Sequence, residues 1–139
     1  MGLFDKLTGT KNVQMTPKTA LVLSAITVIA SDGVLDEAEL VDLAKVVRGD
    51  RRVVDSAIQV LKAKTQLPEI MKMVTDGLNE KQRIATIAII LDMAMADGVL
   101  APAEEKLIQE YITMFGLSDE VLKPIFDTIA IKNDFSVFS

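Results

Sequence analysis

The chain has 139 residues, a formal net charge of −5 at pH 7, and neither cysteine nor histidine. Disulfides, thiolate catalysis, zinc–sulfur sites and histidine acid–base chemistry are therefore excluded, and the acidic balance argues against a nucleic-acid partner. Half of the residues are hydrophobic, with seven Met, one Tyr and no Trp, which is typical of a helical bundle rather than a sheet protein. The length predicts a single domain over residues 1–139 with one hydrophobic core.

Capping and stop residues predict the helices in chain order. Thr16 before Pro17 starts a first helix, which Gly33 ends. Asp36 caps a second helix, in which Glu39 completes a capping box. Further helices are expected to begin near Asp50, Pro68, Asn79, Pro102 and Ser118. The sequence therefore predicts an all-α fold, a compact bundle of about seven helices.

Two of these helices are apolar nearly all round, over residues 21–30 and 84–96. Helices of this kind lie in the middle of a bundle, so we expect them to pack against each other. Asp92 interrupts the second one, and the cost of burying an unpaired charge predicts that it reaches solvent or meets Lys or Arg. Neither stretch is long enough to span a bilayer, and no signal peptide is evident, so we expect a soluble, cytoplasmic protein. Pro124 predicts a bend or restart in the last helix, and residues 133–139 are expected to be irregular.

The most informative feature is a motif that occurs twice. ASDGVLDEAELVDL, at residues 30–43, and MADGVLAPAEEKLI, at residues 95–108, share D-G-V-L-x-x-A-E, and each follows an apolar helix. A repeat at this separation indicates a duplicated supersecondary unit, with halves over about 16–65 and 79–132. We expect the two halves to be related by a pseudo-twofold rotation.

The repeated motif has two interpretations. In the first it is an interhelical turn: Gly33 and Gly98 end helices with positive φ, Val and Leu enter the core, and Glu at the third helical position bonds to the cap amide. In the second the acids bind a cation. Residues 32–39 match the later positions of an EF-hand loop, but Val28 and Ala30 stand where that loop has its first acidic ligands. A site of this kind is weak, open and made only of carboxylates, which suits Ca²⁺ or Mg²⁺ better than zinc.

An apolar helix ending in A-x-D-G, then a hydrophobic residue and a Glu-bearing helix, repeated once, resembles the TerB-like family of tellurite-resistance proteins. The resemblance covers roughly residues 16 to 117, and the opening GLFDKL is also similar to the start of family members. It implies an all-helical domain with internal pseudo-symmetry, found in cytoplasmic stress-response proteins near the inner membrane and in a membrane-anchored DnaJ-type co-chaperone. The acidic positions that the family links to metal ions fall on Asp32, Asp36, Glu39, Asp97 and Glu104. Ala101 and Pro102 replace acids in the second copy, so its site is expected to be the weaker one.

These observations predict a non-enzymatic module of the bacterial stress response, cytoplasmic and peripheral to the inner membrane. We expect it to act through a protein partner, membrane-associated or not, and to bind Ca²⁺ or Mg²⁺ weakly at its acidic turns. No small-molecule substrate and no nucleic acid is expected. The alternative is a protein-interaction scaffold without a metal, in which the acids serve only as helix caps.

Three surface features have a structural and a functional interpretation. A basic cluster is expected to be a solvated face rather than a contact for anionic lipid: Lys45, Arg48, Arg51 and Arg52. Apolar side chains near both ends are expected to dock on the body of the domain rather than on a membrane: Leu3, Phe4 and Leu7 at the start, Phe135 and Phe138 at the end.

Overall fold

A computed structural model of the protein describes residues 15–31, 37–63, 65–96 and 98–139. Within these residues the chain forms seven α-helices and a short 3₁₀ helix, with no strand. In chain order the α-helices are α1 (Pro17–Ile29), α2 (Glu37–Val46), α3 (Arg51–Lys62), α4 (Leu67–Asp76), α5 (Glu80–Ala94), α6 (Pro102–Phe115) and α7 (Asp119–Asn133), and the 3₁₀ helix is Phe135–Phe138. The predicted all-α bundle of about seven helices is confirmed.

The helices begin where side-chain caps satisfy their first amides. Thr16 Oγ1 accepts a hydrogen bond from the Thr19 amide at 3.2 Å, ahead of Pro17. Asn79 and Gln82 form a complete capping box, with reciprocal bonds of 2.9 and 2.8 Å. These bonds satisfy donors that the helix itself cannot reach, which is why the sequence places helix starts well.

Glycine in the left-handed conformation ends α6 and shapes the turn before it. Gly116 has φ of 69° at the end of α6, and Gly98 has φ of 85° in the connection from α5. A Cβ at Gly98 would meet no atom within 4 Å, so the backbone conformation rather than space favours glycine there. The prediction of positive φ is confirmed for Gly98, and Gly33 lies outside the described residues.

Helix α1 lies at the centre of the core and packs against α2, α3, α4, α5 and α6. The two apolar helices therefore pack together as predicted, with Leu23 and Ile26 of α1 and Ile87 and Ile90 of α5 all buried. Burying one such side chain contributes roughly 1.5–3 kcal/mol. The two helices thus supply a large share of the stability of the fold.

The packing pattern of the two halves is similar. Helix α1 contacts α2 and α3, and α5 contacts α6 and α7, while α4 packs on α1 and α6. Duplicated halves would have this arrangement. Their superposition through a twofold rotation stays a prediction.

Tyr111 joins α6 to α1 inside the core. Its ring is buried, and its hydroxyl lies 2.6 Å from Thr27 Oγ1, which itself donates to the Ser24 carbonyl at 2.7 Å. Burial raises the pKa of Tyr111 to about 12. Ionisation of this hydroxyl is therefore disfavoured while the protein is folded.

Asp92 pairs with a cation, as its position in an apolar helix predicts. Its carboxylate accepts from Lys132 Nζ at 2.6 Å and from Asn133 Nδ2 at 3.2 Å, which links α5 to α7. The hydrogen bond from Lys132 lowers the pKa of Asp92 below its usual value of 3.8, although partial burial acts in the opposite direction. Asp92 and Lys132 thus form a structural ion pair.

The C-terminal part of the chain differs from three expectations. Helix α7 continues through Pro124, so the restart is wrong, while the alternative of a bend stays a prediction. Buried Leu122 and Ile129 on either side hold the helix against the bundle. The tail is a 3₁₀ helix rather than irregular. Phe135 and Phe138 are 73% and 82% exposed and contact each other, with ring centroids 6.2 Å apart, so their expected docking on the body is also wrong.

Candidate functional site

A cavity of ≈ 420 Å³ lies where the ends of α1 and α5 meet α2 and the start of α6. Side chains from both copies of the repeated motif line it, because the packing of α1 against α5 places their ends at the same end of the bundle. The described lining residues are Ile29, Ser31, Glu39, Asp42, Met93, Ala94, Ala96, Ala101, Ala103 and Glu104. The two motifs thus share one cavity.

Two of the five predicted ligands belong to this lining, one from each copy: Glu39 on α2 and Glu104 on α6. The other three, Asp32, Asp36 and Asp97, lie outside the described residues. The residues immediately before Asp32 and Asp97 line the cavity themselves. The chain therefore enters each stretch that contains these acids from the wall of the cavity.

Glu39 and Asp42 differ in their exposure to solvent. Glu39 is half-buried, and its Oε2 atom is inaccessible to water. Asp42 lies nearly one turn further along α2 and is exposed, with its Oδ1 atom 3.9 Å from Lys45 Nζ. Because desolvation raises the cost of a negative charge, the charge of Glu39 is costlier in this position than that of exposed Asp42.

Glu104 has the capping role of the first interpretation. Its Oε1 atom accepts a hydrogen bond from the Ala101 amide at 3.3 Å, at the start of α6. Ala101 has extended N-cap geometry, φ −66° and ψ 144°, but no side-chain oxygen to return the bond. The capping box at α6 is therefore only half built.

The hydrophobic residues of the second motif behave differently from each other. Leu100 packs against the core, as expected, whereas Val99 is 68% exposed. The expectation that both enter the core is wrong for Val99, because its turn projects it away from the bundle. Val99 thus exposes an apolar side chain in the segment that connects two residues of the cavity wall, Ala96 and Ala101.

The charge of the cavity is negative. Its described lining contains three carboxylates and no Lys or Arg. Among the residues that the structure describes, however, no three acidic side chains are grouped closely enough to hold a metal ion. A complete cation site would therefore need ligands from Asp32, Asp36 or Asp97, and the predicted ligand set stays a prediction. Asp42, which that set leaves out, could be found from its i+3 spacing to Glu39 on one helix face.

The basic cluster is solvated in the structure. Lys45, Arg48, Arg51 and Arg52 are all exposed, and Arg52 also lies 3.8 Å from the N-cap carboxylate of Asp50. Arg48 adopts φ of 57° ahead of Gly49 at 81°, which turns the chain between α2 and α3. This cluster is a turn with a solvated face, as expected.

The comparisons with known proteins agree with the fold. The sequence matches the family described as tellurite resistance protein TerB over residues 18–125, from the start of α1 into α7. No curated protein and no solved structure matches it. None of the helices that the structure describes is long and apolar enough to cross a membrane. Because the match spans most of the chain, including both copies of the motif, the chain belongs to the TerB family of tellurite resistance proteins.

Proposed function

We propose that this protein is a non-enzymatic helical module of the bacterial stress response, cytoplasmic and peripheral to the inner membrane. It acts through a protein partner and binds Ca²⁺ or Mg²⁺ weakly in the cavity between its two acidic turns. The observation that supports the proposal is that Glu39 and Glu104, one from each motif, line the same cavity. Two predicted half-sites thereby become parts of one shared site.

The charges around the cavity favour a divalent cation. Carboxylates that share a cavity repel each other, and a cation relieves this repulsion while accepting their oxygens as ligands. The ligands are oxygen atoms only, which suits Ca²⁺ and Mg²⁺. The cavity is open to solvent, so we expect a Kd no tighter than roughly 10⁻⁴ M.

The partner surface is expected beside the same cavity. Val99 exposes an apolar side chain in the segment between Ala96 and Ala101, two residues of the wall, and exposed apolar groups next to charged ones are common in protein interfaces. The described lining consists of three carboxylates, alanines, Ile29, Met93 and Ser31, and no hydrogen bond among the described residues pairs the Ser31 hydroxyl with a base. This composition supports recognition rather than catalysis.

Cation binding is tested by thermal melting and calorimetric titration with Ca²⁺ and Mg²⁺ at matched ionic strength. Binding stabilises the folded state by RT ln(1 + [L]/Kd), or about 1.4 kcal/mol at ten times Kd. The double variant Asp32→Asn with Glu39→Gln should lose this gain. Asp55→Asn with Glu69→Gln removes the same charge from exposed positions outside the cavity and should keep it.

A melting shift that is absent from the wild type, or equal in all three proteins, would leave the acids as helix caps. That outcome favours the scaffold alternative, for which the bond from Ala101 to Glu104 is the supporting observation. The partner surface is tested separately. The chain has no cysteine, so Val99→Cys provides a single attachment site for a crosslinker, with Val121→Cys on α7 as the control.

A further inference from the structure

A second concave surface lies between α6 and α7, with a volume of ≈ 750 Å³. Ile112, Leu122 and Phe126 form its apolar part, and Phe126 is 39% exposed. Three exposed acids, Asp119, Glu120 and Asp127, also line it. We refer to this surface as the α6–α7 groove. It shares no residue with the acidic cavity.

We propose that the N-terminal segment of the same chain, residues 1–14, binds in the α6–α7 groove. The segment lies outside the described residues, and its sequence is MGLFDKLTGTKNVQ. Leu7 follows Leu3 by four residues and Phe4 by three, so one helical turn would present all three on one face. An apolar groove of this size accommodates such a face.

The segment is attached at Met15, at the end of the bundle opposite the acidic cavity. Helix α1 ends at the acidic cavity where α6 begins, and the two helices pack together. The start of α1 therefore lies away from this cavity, close to the connection from α4 to α5. Met15 lies beside Gly77, in the connection from α4 to α5, so closely that a Cβ on Gly77 would lie 3.0 Å from Met15 Cγ. An extended chain of the eight residues from Met15 to Leu7 spans about 26–29 Å, which is close to the diameter of a small domain.

The charges of the N-terminal segment and of the α6–α7 groove are opposite in sign. Lys6 and Lys11 outnumber Asp5 in the segment. In the α6–α7 groove Asp127 is paired with Lys123 at 2.7 Å, whereas no salt bridge within the described residues engages Asp119 or Glu120. A basic amphipathic segment therefore complements this groove.

A second groove beside the first one has no preference for a basic segment. It has a similar volume, ≈ 740 Å³, and lies between α4 and α6. Its charged lining residues are Lys106 and Glu110, which cancel, and Met114 is its exposed apolar side chain. Because the two grooves differ mainly in charge, the second one serves as the internal control.

Tryptophan fluorescence of the full chain tests the proposal. The protein has no Trp, so Phe4→Trp places one reporter in the segment and Phe138→Trp places one on the exposed tail. We expect blue-shifted emission and several-fold weaker acrylamide quenching for Phe4→Trp than for Phe138→Trp. Adding Phe126→Lys to Phe4→Trp should restore the exposed signature, and adding Met114→Lys should leave the buried one.

A milder variant keeps the test informative if Phe126→Lys does not fold. Asp119→Asn with Glu120→Gln changes two exposed side chains, and it should increase the quenching of the Phe4→Trp reporter most at low ionic strength. Four results would overturn the proposal: an exposed reporter in Phe4→Trp, a buried one that no α6–α7 variant changes, burial that disappears on dilution, or burial that requires anionic lipid vesicles. Dilution dependence would indicate a second copy, and vesicle dependence a membrane.

Discussion

Replacing Ala101 by serine should stabilise the protein by completing the half-built capping box of α6. Ala101 already has the extended N-cap conformation and is followed by Pro102 at the first helical position. At the other starts, Thr16 and Asn79 accept from the amide three residues on at 3.2 and 2.9 Å. Serine at 101 would accept from the Glu104 amide in the same way. The gain expected from Ala to Ser at an N-cap is about 1 kcal/mol.

The assay is reversible denaturation by urea and by heat. A gain of about 1 kcal/mol raises Tm by roughly 3–4 °C in a domain of this size. Ala103→Ser is the matched control, because it adds the same hydroxyl two residues later, at a helical position that cannot cap. If Ala101→Ser is no more stable than wild type, or if both variants gain equally, the N-cap assignment of Ala101 is incorrect.

Two further predictions concern ionisable side chains. Asp92→Asn should cost less than about 1 kcal/mol at neutral pH, because both partners of the pair with Lys132 are substantially exposed. The folded pKa of Asp92 is lowered, so the pair stabilises above the ordinary value of 3.8 and the difference between variant and wild type should shrink as pH falls below it. Tyr111→Phe should cost about 1 kcal/mol for the lost bond to Thr27. Because the folded pKa is raised from 10.0 to about 12, the wild type should lose stability between these pH values and the variant should lose less, which denaturation and tyrosinate absorbance can measure.

The helix starts could be predicted because they depend on neighbouring residues. Asp50 accepts from the amide of Arg52 at 3.2 Å, and Ser118 accepts from that of Val121 at 3.4 Å. These bonds join residues two or three positions apart, so the sequence contains both partners. The same holds for Gly116, where the conformation of one residue ends the helix.

The C-terminal region could not be predicted in this way, because distant residues decide it. Pro124 removes one helical hydrogen bond, but buried Leu122 and Ile129 keep α7 continuous. Phe135 and Phe138 have a local sequence that suits docking, yet both are largely exposed and their rings contact each other. Propensity rules do not contain this information.

The repeat predicted two related acidic turns, and the packing of the helices brings described residues of both motifs to one cavity. The identity of Glu39 and Glu104 as counterparts follows from the aligned motifs. Their common cavity follows from the contact between α1 and α5, which brings the two helix ends together. A duplicated sequence alone is equally compatible with two separated sites. The shared cavity is therefore the observation behind our proposal of a single site, and the predicted ligands themselves stay a prediction.

Glu104 can separate capping from cation binding, because the two roles need different properties of the side chain. Glu104→Gln keeps an oxygen that accepts from the Ala101 amide but removes the charge. Without divalent cation it should lose no more than about 0.3–1 kcal/mol, the usual contribution of a carboxylate near a helix N-terminus. With Ca²⁺ or Mg²⁺ it should lose most of the additional stabilisation seen in the wild type. Glu105→Gln changes the next residue in the same turn, outside the cavity lining, and should retain that stabilisation; equal cation responses in the two variants would mean that Glu104 is a cap and nothing more.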